Sequence, residues 1–189
     1  MMRKLISNAG TAPLLILAGL ALACEQSPTT APTGDAPSAL SLSQANGPHF
    51  VAYRGEYTVQ IVAVDLAGRC AGTSAPLTFN EVGSGHATHL GRFQVVQSFC
   101  QASPTALDFT SGLAIFTAAN GDQLFDAFEG HVLAPTAPNI FPFEGTFTFT
   151  GGTGRFDGAT GSGTFTGEFD GRRSHIVKEG VISSLVSSK

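Results

Sequence analysis

The chain has 189 residues, enough for one modest domain with a core and too few for two large ones. Gly (23) and Phe (15) make up a fifth of it, charged residues only 13%, and the formal net charge is −4. The 42% apolar content excludes a wholly disordered chain, and without a basic stripe no nucleic-acid partner is expected.

Residues 1–23 open with Arg3 and Lys4 and continue into a run of Leu, Ile, Ala and Gly over 13–23. About eleven apolar residues fall well short of the roughly twenty that cross a bilayer core as a helix. Small residues stand just before Cys24, so the segment reads as a cleavable export signal. The run Leu20-Ala21-Leu22-Ala23-Cys24 resembles a bacterial lipoprotein signal, with Ala21 where such signals prefer Leu. The resemblance implies that Cys24 becomes the first mature residue, carries the lipid, and anchors the protein to a membrane; several acyl chains hold where one binds only marginally. Glu25, in place of an Asp, points to the outer membrane, on its periplasmic or surface face. The alternative is an ordinary secretory signal that leaves Cys24 a bystander.

Residues 24–48 are dense in Ser, Thr, Ala and Pro and contain no aromatic side chain. Such a stretch buries too little apolar surface to offset the ordering of its backbone, and is expected to be a disordered stalk.

From 49 to 183 the apolar period is two. Residues 53–64 alternate Tyr57, Val59, Ile61 and Ala63 against Thr58, Gln60 and Val62; residues 90–99 place Phe93, Val95, Gln97 and Phe99 on one face. Residues 108–117 form a further strand. Over 123–133, Leu124, Asp126, Phe128, Gly130 and Val132 face one way, and Phe125, Ala127, Glu129 and His131 the other. The clearest alternation is FPFEGTFTFT over 141–150, with TGSGTFTGEF over 160–169 as its partner and a final strand over 175–183 before a polar tail, 184–189. No segment carries a sustained helical period. About eight strands joined by short turns are sequential antiparallel neighbours, and closing them into a barrel hides every edge. The fold class expected is all-β, a single antiparallel barrel, with a sandwich as the alternative. In an exported protein Cys70 and Cys100 are expected to pair, the alternative being two buried free thiols.

Two stretches carry a resemblance: GSGHATHLGRFQV over 83–95 and GGTGRFDGATGSG over 151–163. The second resembles the GGTGRF-x-GA-x-G signature of the bacterial allene oxide cyclase-like barrels and of the related dirigent proteins. The resemblance spans about residues 50–183. It implies an eight-stranded antiparallel, calycin-like barrel, often with an apolar cavity, and homo-oligomers among the plant members. Plant allene oxide cyclases isomerise a fatty-acid epoxide and dirigent proteins steer the coupling of phenoxy radicals, but no motif around Asp126, Glu129 or Glu168 carries a catalytic residue over.

Gly151, Gly152, Gly154 and Gly158, around Arg155 and Phe156, lack the Lys-Ser/Thr pair and the following helix of a phosphate loop. They read as a structural turn around a short extended piece, with positive φ at several places and Arg155 bracing it against Asp157 or a neighbouring strand. His86 and His89, three apart on an extended strand, point to opposite faces and make a poor metal clip, so no metal and no other cofactor is expected. Glu144 is expected in solvent, and Ser84, Ser98, Ser111 and Ser162 have no nucleophile-elbow motif. Glu129 and His131 share a face with Phe125. If that face lines the barrel, they form a polar pair at one end of an apolar cavity, suited to orient a ligand or shuttle a proton; the alternative is an outward polar face. The functional expectation is a cell-envelope module that holds a small apolar or aromatic ligand or serves a structural role. The alternative is an isomerase or cyclase acting on a hydrophobic substrate through Glu129, His131 or another cavity acid.

Overall fold

The computed structural model describes residues 49–183, which form eight strands: β1 (Phe50–Asp65), β2 (Leu77–Ala87), β3 (Gly91–Gln101), β4 (Asp108–Ala118), β5 (Gln123–Val132), β6 (Phe141–Gly152), β7 (Gly161–Phe169) and β8 (Arg173–Ser183). The export signal, the stalk with Cys24 and the tail over 184–189 lie outside the described residues. Each strand pairs antiparallel with the next, and β1 pairs with β8 from Phe50↔Ser183 to Gln60↔Arg173, closing the sheet into a barrel. Closure leaves no free edge, and it decides between barrel and sandwich in favour of the barrel.

Seven of the strands follow the apolar alternation of the sequence. The eighth, β2, does not announce itself, because its inward positions are Phe79, Glu81, Gly83, Gly85 and Ala87. Two glycines and a carboxylate on the inner face erase the period-two signal there.

Part of the abundance of Gly and Phe has a common structural cause. Across neighbouring strands Phe is paired with Gly: Phe93 with Gly85, Phe109 with Gly130, Phe128 with Gly112, and on β6–β7 Phe143 with Gly167, Phe147 with Gly163, Phe149 with Gly161 and Phe165 with Gly145. A Cβ built on Gly112, Gly130, Gly145 or Gly167 would run into the ring of the paired Phe. These four rings thus lie over the bare backbone of the neighbouring strand, and the narrow barrel holds many rings at edge-on contact distances, among them Tyr53–Phe149 at 4.9 Å and Phe93–Phe116 at 5.2 Å. Such edge-on pairs contribute about 0.5–1.5 kcal/mol each beyond their buried area.

The turns joining β2–β3, β4–β5 and β6–β7 lie at one end of the barrel, together with the start of β1 and the end of β8. That end is filled by buried side chains, Tyr53, Leu90, Phe93, Leu124, Phe149 and Phe156 among them. Its plug comes from the glycine-rich turn, where residues Gly154–Phe156 form one turn of 3₁₀ helix in place of the expected extended piece. Gly151, Gly154 and Gly158 take positive φ (129°, 59° and 67°), which turns Phe156 inward to complete burial in the core. Arg155 braces the turn, but against neither Asp157 nor a neighbouring strand: its Nη2 donates to the Leu90 carbonyl at 3.2 Å, and its Nε lies 3.7 Å from Asp122 Oδ2.

The opposite end carries the β1–β2, β3–β4, β5–β6 and β7–β8 connections. Here the Cys70–Cys100 disulfide, with Cα atoms 5.7 Å apart, ties the β1–β2 loop to the last turn of β3. Both half-cystines are buried, and the Cys70 N–H donates to Thr78 Oγ1 at 3.1 Å.

Candidate functional site

The two ends of the barrel are packed unequally. Above the solid half the barrel opens into a cavity of about 340 Å³, to which every strand contributes. Phe79, Phe99, Phe109, Phe128, Phe143 and Phe165 wall it, Phe141 and Phe169 stand at the rim, and residues 104–107 of the β3–β4 loop lean over it. The volume is at the lower end of what small-molecule sites enclose.

Among the polar side chains that line this aromatic chamber, four concern its chemistry: Tyr57 from β1, Glu81 from β2, Gln97 from β3 and Lys178 from β8. They are fixed by alternation, since each occupies an inward register position of its strand. Three of them form a relay. Tyr57 Oη donates to Gln97 Oε1 at 3.4 Å, and Gln97 Nε2 donates to Glu81 Oε2 at 2.6 Å. That bond from Gln97 is the one side-chain hydrogen bond reaching the Glu81 carboxyl among the described residues, and Glu81 itself lines the cavity. Burial pushes the Glu81 carboxyl up to about 7, against the opposing effect of the Gln97 hydrogen bond. Near neutral pH it can therefore either accept or release a proton. Burial also drives the Tyr57 hydroxyl well above its ordinary value, with the Asp126 charge adding to the shift, so it acts as a donor.

Lys178 makes the second polar contact. Its Nζ donates to Asp126 Oδ2, and both side chains are buried in the barrel interior. Five rings surround the amine, with Phe147 at 4.9 Å, Phe116 at 5.1 Å, Phe128 at 5.3 Å, Phe165 at 5.8 Å and Tyr57 at 5.9 Å from centroid to Nζ. Burial lowers the Lys178 amine and raises the Asp126 carboxyl, and the attraction between the two opposes both shifts. Asp126 Oδ1 has no hydrogen-bond partner. The cage of ring faces offsets part of what the ammonium loses on leaving water.

The residues singled out by the sequence lie elsewhere. Glu129 and His131 stand exposed on the outer wall of β5, and His131 Nε2 is 3.4 Å from Glu144 Oε1 on β6. The alternation of β5 places Glu129 and His131 on one face, but the inner face is the other, with Leu124, Asp126 and Phe128, so Glu129 and His131 do not form a cavity pair. His86 is exposed on β2, and His89 sits in the β2–β3 turn with its Nε2 3.1 Å from the Ala52 carbonyl oxygen. Among the described residues no three His, Cys, Asp or Glu side chains cluster. Asp126 and Gln97 share the apolar faces that the alternation marks, and a Lys in the same register as Ile176 and Ile182 is the corresponding signal for Lys178. Glu81 had no such signal, because β2 does not alternate.

No family model, no curated protein and no solved structure matches the chain.

Proposed function

We propose that this chain is a lipid-anchored module of the bacterial cell envelope whose barrel binds a small, largely apolar or aromatic ligand in the cavity at its open end. The observation that carries the reading is the cavity itself: an aromatic chamber of about 340 Å³ in which Glu81, Gln97, Tyr57 and Lys178 converge. A largely apolar wall with a few fixed polar groups is the general design of small-molecule sites. A barrel serving only as a structural module has no need to hold a carboxyl and an amine inside it, where each costs stability. The anchor belongs to the proposal through the lipoprotein-like signal ending at Cys24, and kinship with the allene oxide cyclase-like barrels through the signature over 151–163.

Mass spectrometry of compounds retained through native purification tests the binding role. An enriched apolar compound, lost on filling the cavity with Phe79→Trp, is the expected result; no enrichment in the native protein counts against it. Replacement of Cys24 by Ser tests the anchor, and is expected to abolish lipid labelling and membrane partitioning.

A second reading is favoured by the Glu81 carboxyl, whose place in the cavity wall and near-neutral pKa suit it to move a proton to or from a bound hydrophobic substrate. On that reading the protein is an isomerase or cyclase, and Glu81→Gln abolishes turnover while leaving ligand retention in place.

A further inference from the structure

We infer that the cavity selects an apolar ligand bearing a protonated amine, with the ammonium seated against Glu81. The inference rests on the binding role proposed above and names the chemical class of the ligand.

The argument is one of charge. The titratable side chains lining the cavity are Tyr57 from β1, Glu81 from β2 and Lys178 from β8, and the described residues of β3 to β7 present no charged group to it. Tyr57 is held neutral by burial. Lys178 already has its counter-charge in Asp126, which lies outside the cavity lining, so that pair sums to zero on whichever side the proton rests. Glu81 is left over. It is only 4% exposed, it lines the cavity, and among the described residues its one side-chain hydrogen bond comes from neutral Gln97 and no cationic side chain pairs with it. A buried carboxylate without a cation is costly, and the complement that removes this cost is a ligand cation.

The surrounding rings point the same way. Ring faces attract cations, and the chamber is walled by Phe on most sides. A carboxylate ligand meets the opposite situation. It would bring a like charge to Glu81 in a low-dielectric space, and Lys178, whose charge is already balanced by Asp126, offers it no net positive charge in return. An alcohol falls between the two, since it can donate to Glu81 but leaves the charge unmatched.

The test uses three compounds with one skeleton: phenylbutylamine, phenylbutanol and phenylbutyrate, titrated calorimetrically into the purified full-length protein. At about pH 8, where Glu81 is ionised, the amine is expected to bind at least about tenfold more tightly than the alcohol, with the carboxylate weakest. The amine affinity is expected to rise with pH through about 7 while that of the alcohol stays flat, because the amine itself remains protonated throughout. In Glu81→Gln the amine and the alcohol are expected to bind within about twofold of each other. Equal binding of amine and alcohol by the native protein, a flat pH profile for the amine, or preference for the carboxylate overturns the inference and leaves the binding role standing. Failure of all three to bind overturns the binding role as well. The pH profile of the native protein decides the matter even if the Glu81→Gln protein does not fold.

Discussion

Asp126 on β5 and Lys178 on β8, 52 residues apart in sequence, meet inside the barrel as a buried acid–amine pair ringed by aromatic side chains. The pair joins two strands that share no ladder, since β6 and β7 lie between them on one side of the barrel and β1 to β4 on the other. Its place is at the boundary between the solid half and the cavity: Lys178 lines the cavity, while Asp126 sits beyond the lining with one oxygen unpaired.

Removing one partner should be much worse than removing both. Lys178→Met leaves a buried carboxyl alone, and Asp126→Leu leaves a buried amine alone; either is expected to cost about 3–5 kcal/mol in unfolding free energy. The double replacement substitutes apolar groups of similar volume, and it should recover most of that loss. Urea unfolding of the four proteins forms a double-mutant cycle. Additive single losses would show that the two groups do not interact in the native barrel.

Glu81 gives the stability of the protein a pH dependence of defined sign. Its folded pKa is raised from 4.5 to about 7, so between these values the folded state binds a proton that the unfolded state has released. The favourable contribution of the protonated carboxyl is fully present below about pH 4.5 and is lost as pH rises to about 7; it is on the order of 3 kcal/mol. Urea midpoints measured across this range should fall more steeply with rising pH in the native protein than in Glu81→Gln. Parallel profiles for the two would remove Glu81 as the source.

The barrel was legible in the sequence because seven strands keep apolar residues at every second position, and β6 states the rule most plainly with Phe143, Phe147 and Phe149 inward and Thr146 and Thr148 outward. The same rule contained most of the site. Asp126, Gln97 and Lys178 break an apolar register from within, and a polar side chain on an inward face must find a partner or a cavity. What the rule could not supply was the inside of β2, where glycines opposite Val59 and Tyr57 take the place of apolar side chains. Nor can a local pattern pair residues from distant strands: Glu129 and His131 are close together in sequence, whereas Asp126 and Lys178 meet only through closure of the barrel.

The Phe–Gly pairing makes certain glycines intolerant of a single methyl group. At Gly145 an added Cβ would meet both the Phe165 ring and the carbonyl oxygen of Glu129. A ring can move but a paired backbone cannot without parting β5 from β6. Gly145→Ala is therefore expected to destabilise by about 1–3 kcal/mol despite the better strand propensity of Ala. Thr146→Ala, one residue along on the exposed face, should change stability by less than about 0.5 kcal/mol. Thermal or urea unfolding compares the two; a neutral Gly145→Ala would mean that the strands can separate locally at little cost.

The disulfide should act on the open end more than on the barrel as a whole. Cys70 and Cys100 are separated by 30 residues, and on the chain-entropy model closing such a loop stabilises by about 3–4 kcal/mol. The bridge ties the β1–β2 loop to β3 beside Gln101, which lines the cavity and donates through Nε2 to the Ala106 carbonyl of the overhanging loop at 3.0 Å. Replacing both cysteines by Ser should lower global stability by about that amount. It should also raise amide exchange first in the β1–β2 and β3–β4 loops, and leave the solid end around Phe156 protected. Non-reducing peptide mapping of the exported protein should recover the Cys70–Cys100 link, while labelling of both as free thiols would contradict it. Uniform loss of protection, reaching Phe156 as early as the loops, would assign the bridge to the whole barrel instead of to the rim of its cavity.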